Sequence, residues 1–223
     1  MDVRKCMAEL DIADEPDAST VRASPGHRGR NRVVFLDRDG VLNEEELHLH
    51  RKEDLRMVKG VPEALTLLRR MGYLLVVVTN QGGIGKGLFT VEDFLEVMTA
   101  IREELAKEKP WDRTYFCPFA DDGTVPRYTG WHQDRKPNPG MLLRAAYELD
   151  IDVPSSIMIG DHVKDVQAAH RAGCKGVLVM TGHGKVELKG LVDAEVLPGD
   201  ERWPDLIAQD LLTACRAIDE GLV

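Results

Sequence analysis

Arg32-Val33-Val34-Phe35-Leu36-Asp37-Arg38-Asp39-Gly40-Val41-Leu42-Asn43 is an apolar run that ends in two carboxylates one residue apart, with a glycine directly after them. An uninterrupted apolar run without polar alternation is the pattern of a strand buried on both faces, which points to a parallel sheet covered by helices. Such a strand delivers Asp37 to the end of the sheet. A sharp turn at Gly40 aims Asp39 back at the same point, so two carboxylates of different surroundings share one strand end.

On either side of this stretch, apolar strands and amphipathic helices follow one another. Pro62 stands at a first helical position, Ala64, Leu65, Leu68 and Met71 share one face, and Gly72 closes the helix. Leu74 to Val78 is a second buried strand. Thr90 and Asp93 have the spacing of a capping box, and Val91, Phe94, Leu95, Met98, Ile101 and Leu105 form the stripe of the helix that follows. Further strands are expected at Thr114 to Cys117, Ser156 to Ile159, Gly176 to Met180 and Glu195 to Leu197. Helices are expected over 139–149, Val163 to Ala172 and Pro204 to Ile218. The pattern predicts an α/β fold: a Rossmann-like, mainly parallel sheet with helices on both faces, its ligand site at the carboxyl ends of the strands. Residues 1–30 lack clear periodicity and read as a flexible N-terminal tail, with a short helix around Arg4 to Ile12 as the alternative. Residues 31–223 read as one domain.

Composition narrows the function. The chain has 223 residues, 43% of them hydrophobic, and a net charge of −9. That balance argues against a nucleic-acid-binding face and against docking on anionic membranes. The longest strongly apolar run, Tyr73 to Val78, is too short to span a bilayer, and the first 30 residues lack a signal-peptide core. Cys6, Cys117, Cys174 and Cys215 are widely spread, as in a reduced, cytoplasmic protein. The oligomeric state is not encoded in any pattern.

Each strand end carries chemistry. The first offers Asp37 and Asp39; the second ends in Thr79-Asn80-Gln81 and the glycine-rich Gly82-Gly83-Ile84-Gly85-Lys86-Gly87. Arg135-Lys136-Pro137 follows the third, and Gly160-Asp161-His162-Val163-Lys164-Asp165 the fourth. This order resembles the four motifs of the haloacid dehalogenase-like superfamily over about Val33 to Gly184. The resemblance implies Asp37 as nucleophile, Asp39 as acid and base, and Thr79, the main-chain N–H of Asn80 and Lys136 as phosphoryl-binding groups. It also implies a magnesium site made by Asp37, the main-chain carbonyl of Asp39, and Asp161. Asp165 then stands behind these, bonded to Lys136. The chemistry is sensible on its own terms: a carboxylate can attack phosphorus, and a second one can handle the proton. Two like charges ~4 Å apart repel by about 4 kcal/mol at an effective dielectric near 20, so a divalent cation is needed among these acids.

Asp37-Arg38-Asp39-Gly40 with Asn43, Val78-Thr79-Asn80-Gln81 with Gly83-Ile84, and Arg135-Lys136-Pro137-Asn138-Pro139-Gly140 resemble the D-glycero-D-manno-heptose 1,7-bisphosphate phosphatases and the related histidinol-phosphatases. That group implies a small phosphorylated sugar as substrate, with Asn80, Gln81, Arg135 and Lys136 contacting it and Arg135 suited to a second phosphate. The loops Asn43 to Pro62 and Cys117 to Arg135 are too short for a cap domain. A polynucleotide 3′-phosphatase and a non-catalytic binding module are the competing readings. The chain departs from the group in places. Of its zinc loop at most Cys117, His132 and Asp134 remain, so Zn2+ is not the favoured cofactor, and packing by Phe119, Tyr128 and Trp131 is the alternative. His48 and His50 occupy the loop after Asn43, His162 stands where Lys is common, and Gly82 where Ser is common.

Overall fold

The computed structural model describes residues 3–9, 11–13, 23–105 and 110–223. In chain order its main elements are α1 (Val3–Glu9), β1 (Val33–Leu36), α2 (Val61–Arg70), β2 (Leu74–Asn80), α3 (Gly82–Gly85), α4 (Val91–Glu104), β3 (Arg113–Cys117), α5 (Gly140–Glu148), β4 (Ile157–Gly160), α6 (Val163–Ala172), β5 (Lys175–Val179), α7 (Gly184–Asp193), β6 (Leu206–Ala208) and α8 (Leu211–Asp219). The strands form a single parallel sheet in the order β3-β2-β1-β4-β5-β6. The chain winds from β1 through β2 to β3 on one side, then from β4 through β5 to β6 on the other. The reversal falls between β1 and β4, where a crevice opens at the carboxyl ends of both strands.

Strand periodicity divides the core. Val34 and Leu36 of β1 join Leu75 and Val77 of β2 under α2, α4 and α8. Val33 and Phe35 join Val76 and Val78 under α5 and α6. Burying both faces is what the uninterrupted apolar runs require. The capping box forms as the spacing predicts: Asp93 N–H donates to Thr90 Oγ1 (3.1 Å) and Thr90 N–H to Asp93 Oδ2 (2.7 Å). The Asn43–Pro62 and Cys117–Arg135 connections each hold just one short 3-10 turn, Lys52–Asp54 and Pro126–Tyr128.

Three expectations change. The sixth strand is Leu206–Ala208, not Glu195 to Leu197. Glu195 has a φ of 52°, and Val196 N–H donates back to Leu191 O (3.0 Å), so this segment closes α7. The last helix starts at Leu211 because Asp210 caps it, accepting from Thr213 N–H (2.8 Å). Part of the expected tail lies on the domain: Met7 and Ile12 are buried in the core, and Ile12 pairs with Thr114 at the sheet edge. Residues 1, 2, 10 and 14–22, also within that segment, lie outside the described residues.

Candidate active site

Asp37 follows the last residue of β1, and its N–H donates to Ile159 O (3.0 Å), which locks it between β1 and β4. Asp161 follows β4. Asp165 sits in the first turn of α6, where its Oδ2 accepts from His162 N–H (3.0 Å). Gly160 allows this close return, since a Cβ there would come within 2.2 Å of Asp165 Oδ2. Oxygens of Asp37, Asp161 and Asp165 all lie within 4.8 Å of one another.

Lys136 enters from the far side. Its ammonium is sealed from solvent, 3.0 Å from Asp37 Oδ2 and 2.7 Å from Asp165 Oδ1, and it donates to Val78 O (2.9 Å). Asn80 fixes the Lys136 backbone: its Nδ2 donates to Lys136 O and its Oδ1 accepts from Lys136 N–H, both at 3.0 Å. The Asn80 side chain is therefore a brace. Gln81 is also buried, and its Nε2 donates to Thr79 Oγ1 (2.8 Å) and to Asp39 Oδ2 (3.1 Å). With the Thr79 oxygen accepting from Gln81, its own hydroxyl hydrogen is left to donate elsewhere.

Asp39 is held from two sides. Arg38 donates to both of its oxygens, and Asn43 Nδ2 to Oδ1 (2.9 Å). Burial disfavours its charge, but Arg38, Asn43 and Gln81 together keep the carboxyl below the ordinary range. Burial likewise opposes ionisation of Asp165, yet Lys136 and Lys164 hold it low. Asp37 and Asp161 go the other way. Burial raises Asp37 to about 6, against the pull of Lys136, and raises Asp161 to about 8, with Asp37 and Asp165 adding to the second shift.

This donor set fits a divalent cation. It is all oxygen, which suits magnesium. Asp161 Oδ1 is buried without a hydrogen-bond partner among the described residues, while Oδ2 accepts from His183 N–H (2.8 Å). Lys136 occupies Asp165, so Asp37 and Asp161 are the two carboxylates left to hold metal. Both carboxyls bind protons more tightly in the folded chain than at their ordinary 3.8. Their contribution to metal-free stability is then fully present below that value and is lost as pH rises through about 6 and about 8. Magnesium binds the ionised form, so it should raise the melting temperature more above about pH 8 than near pH 5. A metal-free melting temperature that rises across this window would contradict the assignment.

A family model described as haloacid dehalogenase-like hydrolase matches residues 30–173. A D-glycero-D-manno-heptose-1,7-bisphosphate 7-phosphatase of Thermosynechococcus vestitus is 39% identical over 187 residues, 82% of this chain and 92% of that protein. The chain is a haloacid dehalogenase-like hydrolase. A D-glycero-beta-D-manno-heptose-1,7-bisphosphate 7-phosphatase of Photorhabdus laumondii is 46% identical over 153 residues, covering 67% of the hydrolase and 81% of the relative. Among solved structures, the D,D-heptose 1,7-bisphosphate phosphatase of B. bronchiseptica, complexed with magnesium and phosphate, superimposes with a TM-score of 0.72 at 27% identity. The match covers 85% of the hydrolase and 99% of that chain.

Around the carboxylates the hydrolase has a cleft of about 250 Å³, which Thr79, Asn80, Arg135, Lys86, Lys164 and His183 help to line. Arg135 Nη1 donates to Phe119 O (2.8 Å). A Cβ on Gly82 would lie 2.9 Å from that nitrogen, so the glycine that replaces the more usual Ser makes room for the guanidinium. His48 lines the same cleft, whereas His50 stacks on Phe89 with ring centroids 5.7 Å apart. His162 Nδ1 pairs with Glu187 Oε1 (2.9 Å), and burial and Lys164 push its pKa down. No signal in the sequence marks Lys86, Lys164 or His183 for the cleft. Lys86 and Lys164 lie inside the quoted motifs, but a motif does not say which way a variable residue faces.

The altered zinc loop does not gather its remnants. Among the described residues the one group with converging ligand atoms is Asp37, Asp161 and Asp165, so Cys117, His132 and Asp134 are not brought to a common point. Burial pushes the Cys117 thiol up to about 12. His132 Nδ1 accepts from Asp134 N–H (3.1 Å) and its ring stacks on Phe119 at 4.2 Å, with Tyr128 edge-on to Phe119 at 5.7 Å. Phe119 and Tyr128 hold the loop. Trp131 does not, being 73% exposed.

Proposed function

We propose that the hydrolase is a magnesium-dependent phosphomonoesterase that removes the 7-phosphate of D-glycero-D-manno-heptose 1,7-bisphosphate or a close sugar bisphosphate. The observation that carries this reading is the juxtaposition of Asp37, paired with the buried Lys136, and an Arg135 that lines the same cleft. A nucleophile with one cation serves the phosphate that leaves, and a forked guanidinium suits a second phosphate. The relatives named above as heptose bisphosphate phosphatases support the substrate class. The small cleft suits a metabolite better than a polynucleotide end.

Asp37 attacks phosphorus, the ester P–O bond breaks, and Asp39 gives a proton to the departing alkoxide. Asp39 rests as an ionised carboxylate, so that proton must be loaded on or after substrate binding. Water then attacks the aspartyl-phosphate and returns a proton to Asp39. Thr79 donates to a phosphoryl oxygen, and the Lys136 ammonium beside Asp37 offsets the phosphoryl charge throughout. The Asp37 and Asp161 carboxylates and the Asp39 carbonyl would hold magnesium, which polarises the phosphoryl group and offsets the charge of the acids. Cys117, Cys174 and Cys215 are buried as thiols, as suits a reducing, cytoplasmic compartment.

A phosphate-release screen with magnesium and with EDTA tests the reading. The heptose 1,7-bisphosphate should be turned over with a kcat/KM at least about tenfold above that of the 7-monophosphate or histidinol phosphate, since a bidentate charge contact is worth a few kcal/mol. Equal rates on the mono- and bisphosphate, or undiminished rates in EDTA, would refute it.

A further inference from the structure

Arg38 stands between the two carboxylates, and the chemistry above gives it no part. Its side chain is 1% exposed, beneath the surface of the catalytic turn. Nε donates to Asp39 Oδ1 at 3.1 Å, and Nη2 donates to Oδ1 and Oδ2, each at 2.8 Å. Its Cζ lies 5.7 Å from the centroid of the Phe94 ring, itself fully buried on α4. Nη1 is buried and has no hydrogen-bond partner among the described residues.

Burying a guanidinium carries a desolvation penalty of several kcal/mol, which excellent geometry with a counter-charge has to offset. An apolar side chain would fill the space over Phe94 without that penalty. The orphaned Nη1 shows that the pocket was not shaped to satisfy the whole group. What the guanidinium does satisfy is Asp39, through the rigid fork that only arginine offers. Asn43 and Gln81 close the opposite side of the same carboxylate, at 2.9 and 3.1 Å, and Gln81 also holds the Thr79 hydroxyl. Both Asp39 oxygens are thus fixed in direction, and that direction is tied to the phosphoryl-binding threonine.

We propose that Arg38 is a positioning residue that fixes the Asp39 carboxylate for the water-activating half of the reaction, an assignment that rests on the phosphatase reading above. In that half a water oxygen bonds to phosphorus, its proton passes to an Asp39 oxygen, and the P–O bond to Asp37 breaks. Inorganic phosphate leaves and the Asp37 carboxylate is restored. An oriented carboxylate matters most here. The first half needs it less when the leaving group departs as a stable anion.

The two halves separate with 4-nitrophenyl phosphate, whose 4-nitrophenolate leaves without a proton. Full-length Arg38→Met, mixed rapidly with this ester and magnesium, should release about one equivalent of nitrophenolate per site at a rate within a few-fold of the wild type. Steady-state turnover should then fall about ten- to hundredfold, a part of what general-base catalysis supplies. Acid-quenched phosphoenzyme should rise to match. Arg38→Lys, which keeps the charge and loses the fork, should recover only part of the rate. It carries the test if Arg38→Met does not fold. A first turnover and steady state slowed equally, or neither changed, would overturn the proposal, as would full recovery in Arg38→Lys. Asp37→Asn run in parallel keeps the two readings apart: nitrophenolate turnover that survives there removes the aspartyl-phosphate mechanism on which the proposal rests, whatever Arg38 does.

Discussion

Asp37→Asn should abolish turnover, by about four orders of magnitude or more, while leaving the fold intact. The amide has nearly the shape of the carboxylate and cannot form the acyl phosphate. Its structural consequences run the opposite way. Asp37 lies in a cluster where Asp161 is pushed up to about 8, in part by Asp37 itself. Removing one charge relieves that repulsion, so metal-free Asp37→Asn should melt higher than metal-free wild type near neutral pH. The gain should vanish at low pH, where the acids are protonated in both proteins. It should also vanish when magnesium is added, because the variant loses a ligand. Melting curves at two pH values, each with and without magnesium, check this without an activity assay. A variant that is destabilised at every condition would show that the Asp37 charge holds the fold together, and retained magnesium-dependent turnover would dismiss it as nucleophile.

The same opposition between chemistry and stability explains what the sequence could disclose. A group that works against its surroundings must be placed by strong, local signals. Asp37 and Asp161 could be found because each directly follows a strand whose apolar run is unambiguous, whereas Lys136 lies 19 residues beyond β3 and is marked by its motif and by Pro137 and Pro139. Val163–Ala172 could be delimited because Asp165 and Gly173 punctuate both ends, Gly173 with a φ of 96°. The far edge of the sheet carries no such signals. Leu206–Ala208 is three residues long, and α7 has two glycines and buries only Gly184 and Leu191 along its length. Neither leaves a stripe to read.

Within the site, the limit is direction rather than identity. Asn80 reads as a phosphoryl contact through its main-chain N–H and Gln81 as a substrate contact, with no sign of what their side chains do. Three-dimensional packing turns Asn80 onto the Lys136 backbone and Gln81 between Thr79 and Asp39. Arg38 is visible in the motif, but no one-dimensional pattern says that a guanidinium will be buried. The remnants of the zinc loop illustrate the converse: residue types suited to a metal survive there, yet among the described residues Cys117, His132 and Asp134 are not brought to a common point.

Lys136→Met should lose both activity and stability, and the two losses have separable causes. The ammonium is the counter-charge of Asp37 and Asp165 and is fully enclosed. Taking one partner from such a group leaves buried charge uncompensated and costs about 3–5 kcal/mol. Burial already disfavours the Lys136 charge, and it is Asp165 and Asp37 that hold its pKa above the ordinary value. Without the lysine, the forces that keep Asp165 low are weakened, and its carboxyl should bind a proton more readily. The deficit should therefore widen as pH rises and shrink in acid, where protonation removes the unpaired charge. Adding Asp165→Asn to Lys136→Met should restore part of the stability, since the stranded carboxylate is gone. It should restore none of the activity, because the phosphoryl oxygens still lack their cation. Denaturant unfolding at two pH values and the magnesium-supported rate of the single and double variants measure all four quantities. Stability of Lys136→Met within about 1 kcal/mol of wild type would place the lysine in a solvated setting. Recovery of turnover in the double variant would mean that Lys136 serves only to neutralise Asp165.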